Sequence, residues 1–250
     1  MTEIREMQLE IVKMMENVDS LFSDNGIAYT LLGGSVLGAV RHKGFIPWDD
    51  DMDIGVFRDD FDNAEKLLSQ MSEYVYERAE NHIVPDAPIG HLHLVNEKYP
   101  IENSPTIDVF ALDKVPSDEK ARKQLRRVAN LHHLCVLRKA PKNRGKVKRM
   151  IVSALLIFIP NCVWNRVQKY TLGKIEKLNG KNFSCIGNIF GAWTEREYFD
   201  ASIYKETERI QFENLQLPCP KNVDFYLSQL YGNYMQLPPK EKQVPKHREF

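Results

Sequence analysis

The sequence predicts an α+β (mixed α/β) fold: a core sheet flanked by helices, followed by a mainly helical C-terminal part. Three observations predict it. Apolar residues recur at helical spacing near the N-terminus, strand-like runs then alternate with turns up to about residue 116, and helical patterns dominate afterwards. With 250 residues, 43% of them hydrophobic and 27% charged, the chain can build a sizeable core.

The elements follow in order. Ile4, Met7, Ile11, Met14, Val18 and Leu21 share one face of a helix over 3–23, and Gly26 sits where that helix stops. The β-branched and aromatic run IAYTLL (27–32) predicts a strand. Gly33-Gly34-Ser35 forms a tight turn, with Ser35 capping a helix over 35–42. DMDIGVF (51–57) predicts a second strand. Asp59 or Asp60 then caps a helix to about 71, whose buried face carries Phe61, Ala64, Leu67 and Met71. HLHLVNE (91–97) and TIDVFALD (106–113) predict further strands.

Ser117, with Asp118 and Glu119, opens a helix to about 139. The loop APKNRGK leads to an apolar helix over 147–159, which Pro160 interrupts, and a third helix runs to about 178. The tail, 181–250, predicts short helices and loops punctuated by prolines at 218–220 and 238–239. The expected organisation is a core over 1–116, a basic helical segment over 117–180 and a C-terminal lobe over 181–250, all within one compact domain.

Composition excludes several classes. The acidic N-terminal segment does not fit a signal peptide, and no run approaches the roughly 20 apolar residues of a membrane span. Cys135, Cys162, Cys185 and Cys219 are too scattered for a zinc or redox motif, which fits reduced thiols and a cytoplasmic setting. The net charge of zero hides an asymmetry. Residues 120–174 hold 15 Lys/Arg and no Asp or Glu, leaving 19 basic against 34 acidic residues elsewhere.

The chemistry concentrates in LLGGSVLGAVRHKGFIPWDDDMDIGVF (31–57), where four aspartates fall within five positions. Like charges this close need full solvation or a cation. Asp51 and Asp53 are two apart in a strand pattern, so both carboxylates leave the same face, while Met52, Ile54 and Val56 point into a core. Asp50 is expected to point away. Asp108, between Ile107 and Val109, is the candidate third carboxylate, because an idle acid among apolar strand residues is costly. Three convergent carboxylates suit Mg²⁺ or Mn²⁺, and metals held this way clamp phosphates.

The upstream turn then gains a purpose. A strand ending in Gly33-Gly34-Ser35 and opening into a helix presents backbone N–H groups and a positive dipole end, which suits phosphate. Arg41 and Lys43 add positive charge, and Trp48 could stack on a base or sugar or wedge into the core. A lone DxD or Gly-Gly turn is a common surface feature; the conjunction of strand, GGS, helix, DxD strand and later strand aspartate is not. His91 and His93 are expected to be ordinary hydrogen-bonded sheet residues.

These blocks resemble the signature of the LicD family, the phosphocholine transferases and their fukutin-related relatives that transfer ribitol phosphate. The similarity is nearly gapless over 31–57. TIDVFALDKVP (106–116) resembles the family's second acidic block, and YGNYMQLPPKEKQVPKH (231–247) its C-terminal block, with Asn233 where an aspartate is usual. The resemblance implies a nucleotidyltransferase fold of the DNA polymerase β type. Gly34 and Ser35 then match the phosphate-binding turn, Asp51 and Asp53 the metal pair, and Asp108 the third carboxylate. It also implies a CDP-activated donor such as CDP-choline, whose phospho-alcohol passes to a hydroxyl of a cell-surface glycan or its lipid-linked precursor, releasing CMP. Asp108, or an oxygen on the metal, would take the acceptor's proton. A choline-carrying donor calls for aromatic residues, and Trp48, Tyr99, Trp193 and Tyr231 are available.

Other functions are open on the same residues: a nucleotidyltransferase placing NMP on a small molecule or protein, a metal-dependent DxD glycosyltransferase, or a non-catalytic scaffold. Against the glycosyltransferase, the GGS turn lies too close upstream of Asp51. The basic segment has two readings. MIVSALLIFI between basic flanks suits an interfacial helix on anionic lipid at the inner leaflet, or a buried helical hairpin with solvated charges. Nucleic acid is not expected, because the segment lacks interleaved aromatics.

Overall fold

The computed structural model describes residues 2–78, 89–140, 145–179, 182–191 and 194–245. Helix α1 (Glu3–Asp24) buries Met7, Ile11, Met14, Met15, Val18 and Phe22, and ends before Gly26, which takes a positive φ of 67°. Strand β1 (Tyr29–Leu31) leads into α2 (Gly33–His42), and β2 (Met52–Phe57) into α3 (Arg58–Leu68). Short strands β3 (Val75–Glu77) and β4 (Gly90–His93) precede the long β5 (Thr106–Pro116). Three helices follow: α4 (Glu119–Leu137), α5 (Lys146–Phe158) and α6 (Asn161–Asn179). The chain closes with β6 (Phe183–Gly187), β7 (Tyr198–Asp200), α7 (Ala201–Lys205), β8 (Thr207–Phe212), β9 (Leu215–Pro220) and α8 (Val223–Tyr231).

One mixed sheet organises the molecule, in the order β1-β2-β5-β4-β3, with β6 added to β5 and β7 to β6. Among the described residues only β2 and β5 run parallel, and every other pairing is antiparallel. β5 serves two neighbourhoods. Its first part pairs with β2 and β4, and its last residues, Asp113–Pro116, pair with β6. The main core gathers around Met52, Ile54, Val56, Ile107 and Val109 of the two parallel strands, all fully buried. A second core joins Val115 to Leu125 and Ala129 of α4 and Ile175 and Leu178 of α6.

Several expectations need correction. Among its described residues the tail holds four strands as well as short helices. β6 and β7 join the main sheet, and β8 and β9 form a hairpin of their own. Pro218 and Pro220 hid β9; it pairs on one side only, where a missing N–H is tolerated. Ser35 does not cap α2, which begins two residues earlier with Leu32 at its N-cap. Asp59 and Asp60 lie in the first turn of α3 rather than capping it, and Asp118, not Ser117, caps α4 by accepting from the Ala121 N–H at 2.8 Å. The expected strand over 91–97 stops at His93, because Asn96 folds the chain into a turn with Tyr99. Nor is the apolar helix a buried hairpin: none of the described side chains of α5 is buried.

Candidate active site

The parallel register of β2 and β5 sets Asp53 beside Asp108, and the antiparallel register of β4 and β5 sets His91 on the other side of Asp108. A polar row His91–Asp108–Asp53 thus crosses three strands. Asp51 stands just ahead of β2 rather than within it. One carboxylate oxygen each from Asp51, Asp53 and Asp108 lies within 4.8 Å of the others. Asp49, Asp50 and Asp51 converge to the same limit. Asp50, expected to point away, is fully buried in this second group.

The like charges have an electrostatic consequence. Burial, and then Asp53, Asp108, Asp49 and Asp50, push the Asp51 carboxyl well above the usual carboxylate range. Such a cluster either holds protons or accepts a cation. The donors are all hard oxygens, from β2, β5 and the loop just ahead of β2, and they could hold a metal ion.

The GGS turn is pressed against this cluster. Gly33 takes φ +46°, and a side chain there would meet Asp53 Oδ2 and the Tyr231 hydroxyl, each at 3.5 Å. A Cβ on Gly34 would come within 3.1 Å of Asp49 Oδ2. The positive end of α2 therefore faces carboxylates, and the glycine turn lies directly against the acidic cluster. Part of the turn is already committed. The Gly33 N–H donates to Tyr226 Oη at 3.0 Å, and the Ser35 N–H to the Leu32 carbonyl. Ser35 Oγ accepts from the Asp53 N–H at 2.9 Å, which ties α2 to β2.

The remaining candidates divide. Arg41 is half-buried, donates to the Tyr234 carbonyl at 2.9 Å, and lies in the field of Asp49 and Tyr231. Lys43 is not brought to the cluster. It is exposed in left-handed conformation at the far end of α2, about 15 Å along the helix from Gly33. Trp48 is half-buried and packs on the main core next to Asp49. Of the aromatic candidates, Tyr231 reaches the site, Lys98 covers the Tyr99 ring at 5.1 Å, and Trp193 lies outside the described residues.

Sequence reasoning missed four supporting groups. His91 Nδ1 lies 2.7 Å from Asp108 Oδ1, so it is more than a sheet residue. His93 fits that plainer reading, bonding Ser104 and Thr106. Gln8, a polar residue on the buried face of α1, donates to the carbonyls of Ile46 and Asp49 and holds the acidic loop. Glu213 receives both Arg5 guanidinium nitrogens and the Phe45 N–H, pinning the same loop from the β8–β9 turn. Tyr226 supports the glycine turn from α8.

A mixed sheet thus places three carboxylates at the mouth of a glycine turn. Residues 26–130 match the family described as LicD/FKTN/FKRP, nucleotidyltransferase domain. Across 98% of its length the chain is 30% identical to the lipopolysaccharide cholinephosphotransferase LicD of Haemophilus influenzae, 96% of which is covered. A 42-residue stretch is 52% identical to the ribitol 5-phosphate transferase FKRP of human and mouse, covering 17% of this chain and 8% of those proteins. The chain belongs to the LicD family.

Proposed function

We propose that this protein transfers a phospho-alcohol, phosphocholine or a close analogue, from a CDP-activated donor to a hydroxyl of a surface glycan or its lipid-linked precursor. The observation that carries the reading is the convergence of Asp51, Asp53 and Asp108 against the N-terminus of α2. The related transferases named above, one for choline phosphate and one for ribitol phosphate, support the substrate class.

Asp51, Asp53 and Asp108 would hold a divalent ion, Mg²⁺ or Mn²⁺. Bound there, the ion would supply positive charge against the donor's phosphates. The rest falls to the chain. The N-terminal end of α2 orients the diphosphate through its dipole. Arg41, fixed by Tyr234, lends charge to the leaving CMP. The acceptor oxygen forms the new bond to phosphorus as the P–O bond to CMP breaks, and Asp108 takes the hydroxyl proton. His91 fixes the Asp108 carboxylate for that transfer. Positioning and electrostatics supply most of the catalysis, as phosphoryl transfer generally requires.

The test is a donor screen by thermal shift and product analysis, with CDP-choline, CDP-glycerol, CDP-ribitol, UDP-glucose and ATP, each with Mg²⁺ or Mn²⁺. One CDP compound should raise the midpoint in a metal-dependent way, deliver its phospho-alcohol to the acceptor, and lose both effects with EDTA. Stabilisation by ATP or UDP-glucose alone, or nucleotide left on the acceptor, overturns the proposal.

A further inference from the structure

The strongest feature outside the reaction site is α5. Its apolar side chains face outward: Val147, Met150, Ile151, Leu155, Ile157 and Phe158 are 45–82% exposed. At helical spacing these six fall on one continuous arc of about half the circumference. Contiguous exposed apolar faces of this kind mark docking surfaces. α6 leaves the corner at 113° and adds exposed Val163 and Tyr170.

The surroundings specify the occupant. Residues 120–174 carry 15 basic and no acidic side chains. Lys146 and Arg149 of α5, and Lys139, Arg166 and Lys169 in the segments before and after it, are all exposed. A second copy of the same segment would bring like charge against like charge. An anionic surface with an apolar interior satisfies both features. At 13 residues α5 is about 20 Å long, too short to span a bilayer, and among the described residues no single helix is long and apolar enough to cross one.

We propose that α5 lies in the plane of an anionic lipid surface, with its apolar arc in the acyl boundary and the flanking lysines and arginines on the headgroups. The docking rests on the exposed helix and its charge, and stands independently of the reaction assigned to the acidic site.

Co-sedimentation with vesicles of 70:30 phosphatidylcholine and phosphatidylglycerol, against pure phosphatidylcholine, tests it. The full chain should pellet with the anionic vesicles at low salt and be released by high salt. Lys146→Gln and Arg149→Gln should each weaken partitioning about fivefold. Leu155→Glu with Phe158→Glu should abolish it at an unchanged melting temperature, since both side chains are exposed. Absence of binding to anionic vesicles at low salt overturns the proposal, as does undiminished binding of the double glutamate variant. Light scattering that finds a dimer dispersed by the same substitutions assigns the face to a second copy and overturns it too.

Discussion

His91 Nδ1 lies 2.7 Å from Asp108 Oδ1, across the β4–β5 register. An ionised carboxylate can only accept, so Nδ1 carries the hydrogen when Asp108 is charged. The contact fixes one oxygen of a carboxylate whose partner strand carries Asp53. His91→Gln should lower Mn²⁺ affinity and turnover together, by about 10- to 100-fold, the usual cost of removing a group that orients a ligand. Mn²⁺ titration followed by paramagnetic resonance checks it; a variant with unchanged affinity refutes the orienting role.

Asp53→Asn and Asp108→Asn keep shape and remove charge. Each should cut transfer at least 100-fold, a loss comparable to deleting a preorganised electrostatic partner. Because the cluster is self-repelling, neither should lower the metal-free melting temperature; relief of repulsion should raise it slightly. Scanning calorimetry in EDTA beside the transfer assay separates the two effects.

The two glycines should fail differently. Gly33→Ala forces φ +46° on an ordinary residue, which costs about 1–2 kcal/mol, while its Cβ finds only normal contacts. Gly34→Ala has no such backbone strain, but its Cβ crowds Asp49 Oδ2 at 3.1 Å. Gly33→Ala should therefore show mainly in denaturant unfolding, and Gly34→Ala mainly in kcat/KM.

Hydrogen bonds from Arg5 hold the Glu213 carboxyl below its ordinary range, with the Phe45 N–H assisting. A depressed carboxylate stabilises above its unfolded pKa of about 4.3, and the gain is lost as pH falls through the lower folded value. The stability gap between wild type and Glu213→Gln should therefore be constant above about pH 5 and shrink below pH 4. Urea midpoints across that range would measure it.

Asp113 is fully buried, receives Arg58 Nε at 2.9 Å and Arg58 Nη2 at 3.0 Å, and accepts from Asn179 Nδ2 at 2.7 Å. Asp113→Ala leaves the partly exposed Arg58 and the buried Asn179 without their acceptor and should cost about 2–3 kcal/mol in chemical denaturation.

Much of the site could be read from local pattern. Asp53 and Asp108 sit in strands whose alternation fixes which way they face, Asp51 directly precedes the first of them, and the GGS turn announces itself by composition. The support was illegible because it comes from far along the chain. Tyr226 meets Gly33 across 193 residues and Glu213 meets Arg5 across 208, and no periodicity encodes such a pairing. His91 looked ordinary because only the strand register places it beside Asp108. Of the tail strands, β9 was hidden by prolines that a one-sided hairpin accepts. α5 was ambiguous because a 13-residue apolar helix has the same pattern whether it is buried or not.

The length of β5 has a final consequence. Asp108 and Asp113 are five residues apart on one unbroken strand, so they leave opposite faces: one serves the acidic cluster, the other anchors Arg58 and Asn179 beneath the helices. The strand thus acts as a reading frame. Substitutions along it change one contact at a time, but a single inserted or deleted residue between the two aspartates inverts everything downstream. One aspartate or the other would then face the wrong environment. Between these positions, natural variation in this lineage should appear as exchanges of residue type and never as changes of length.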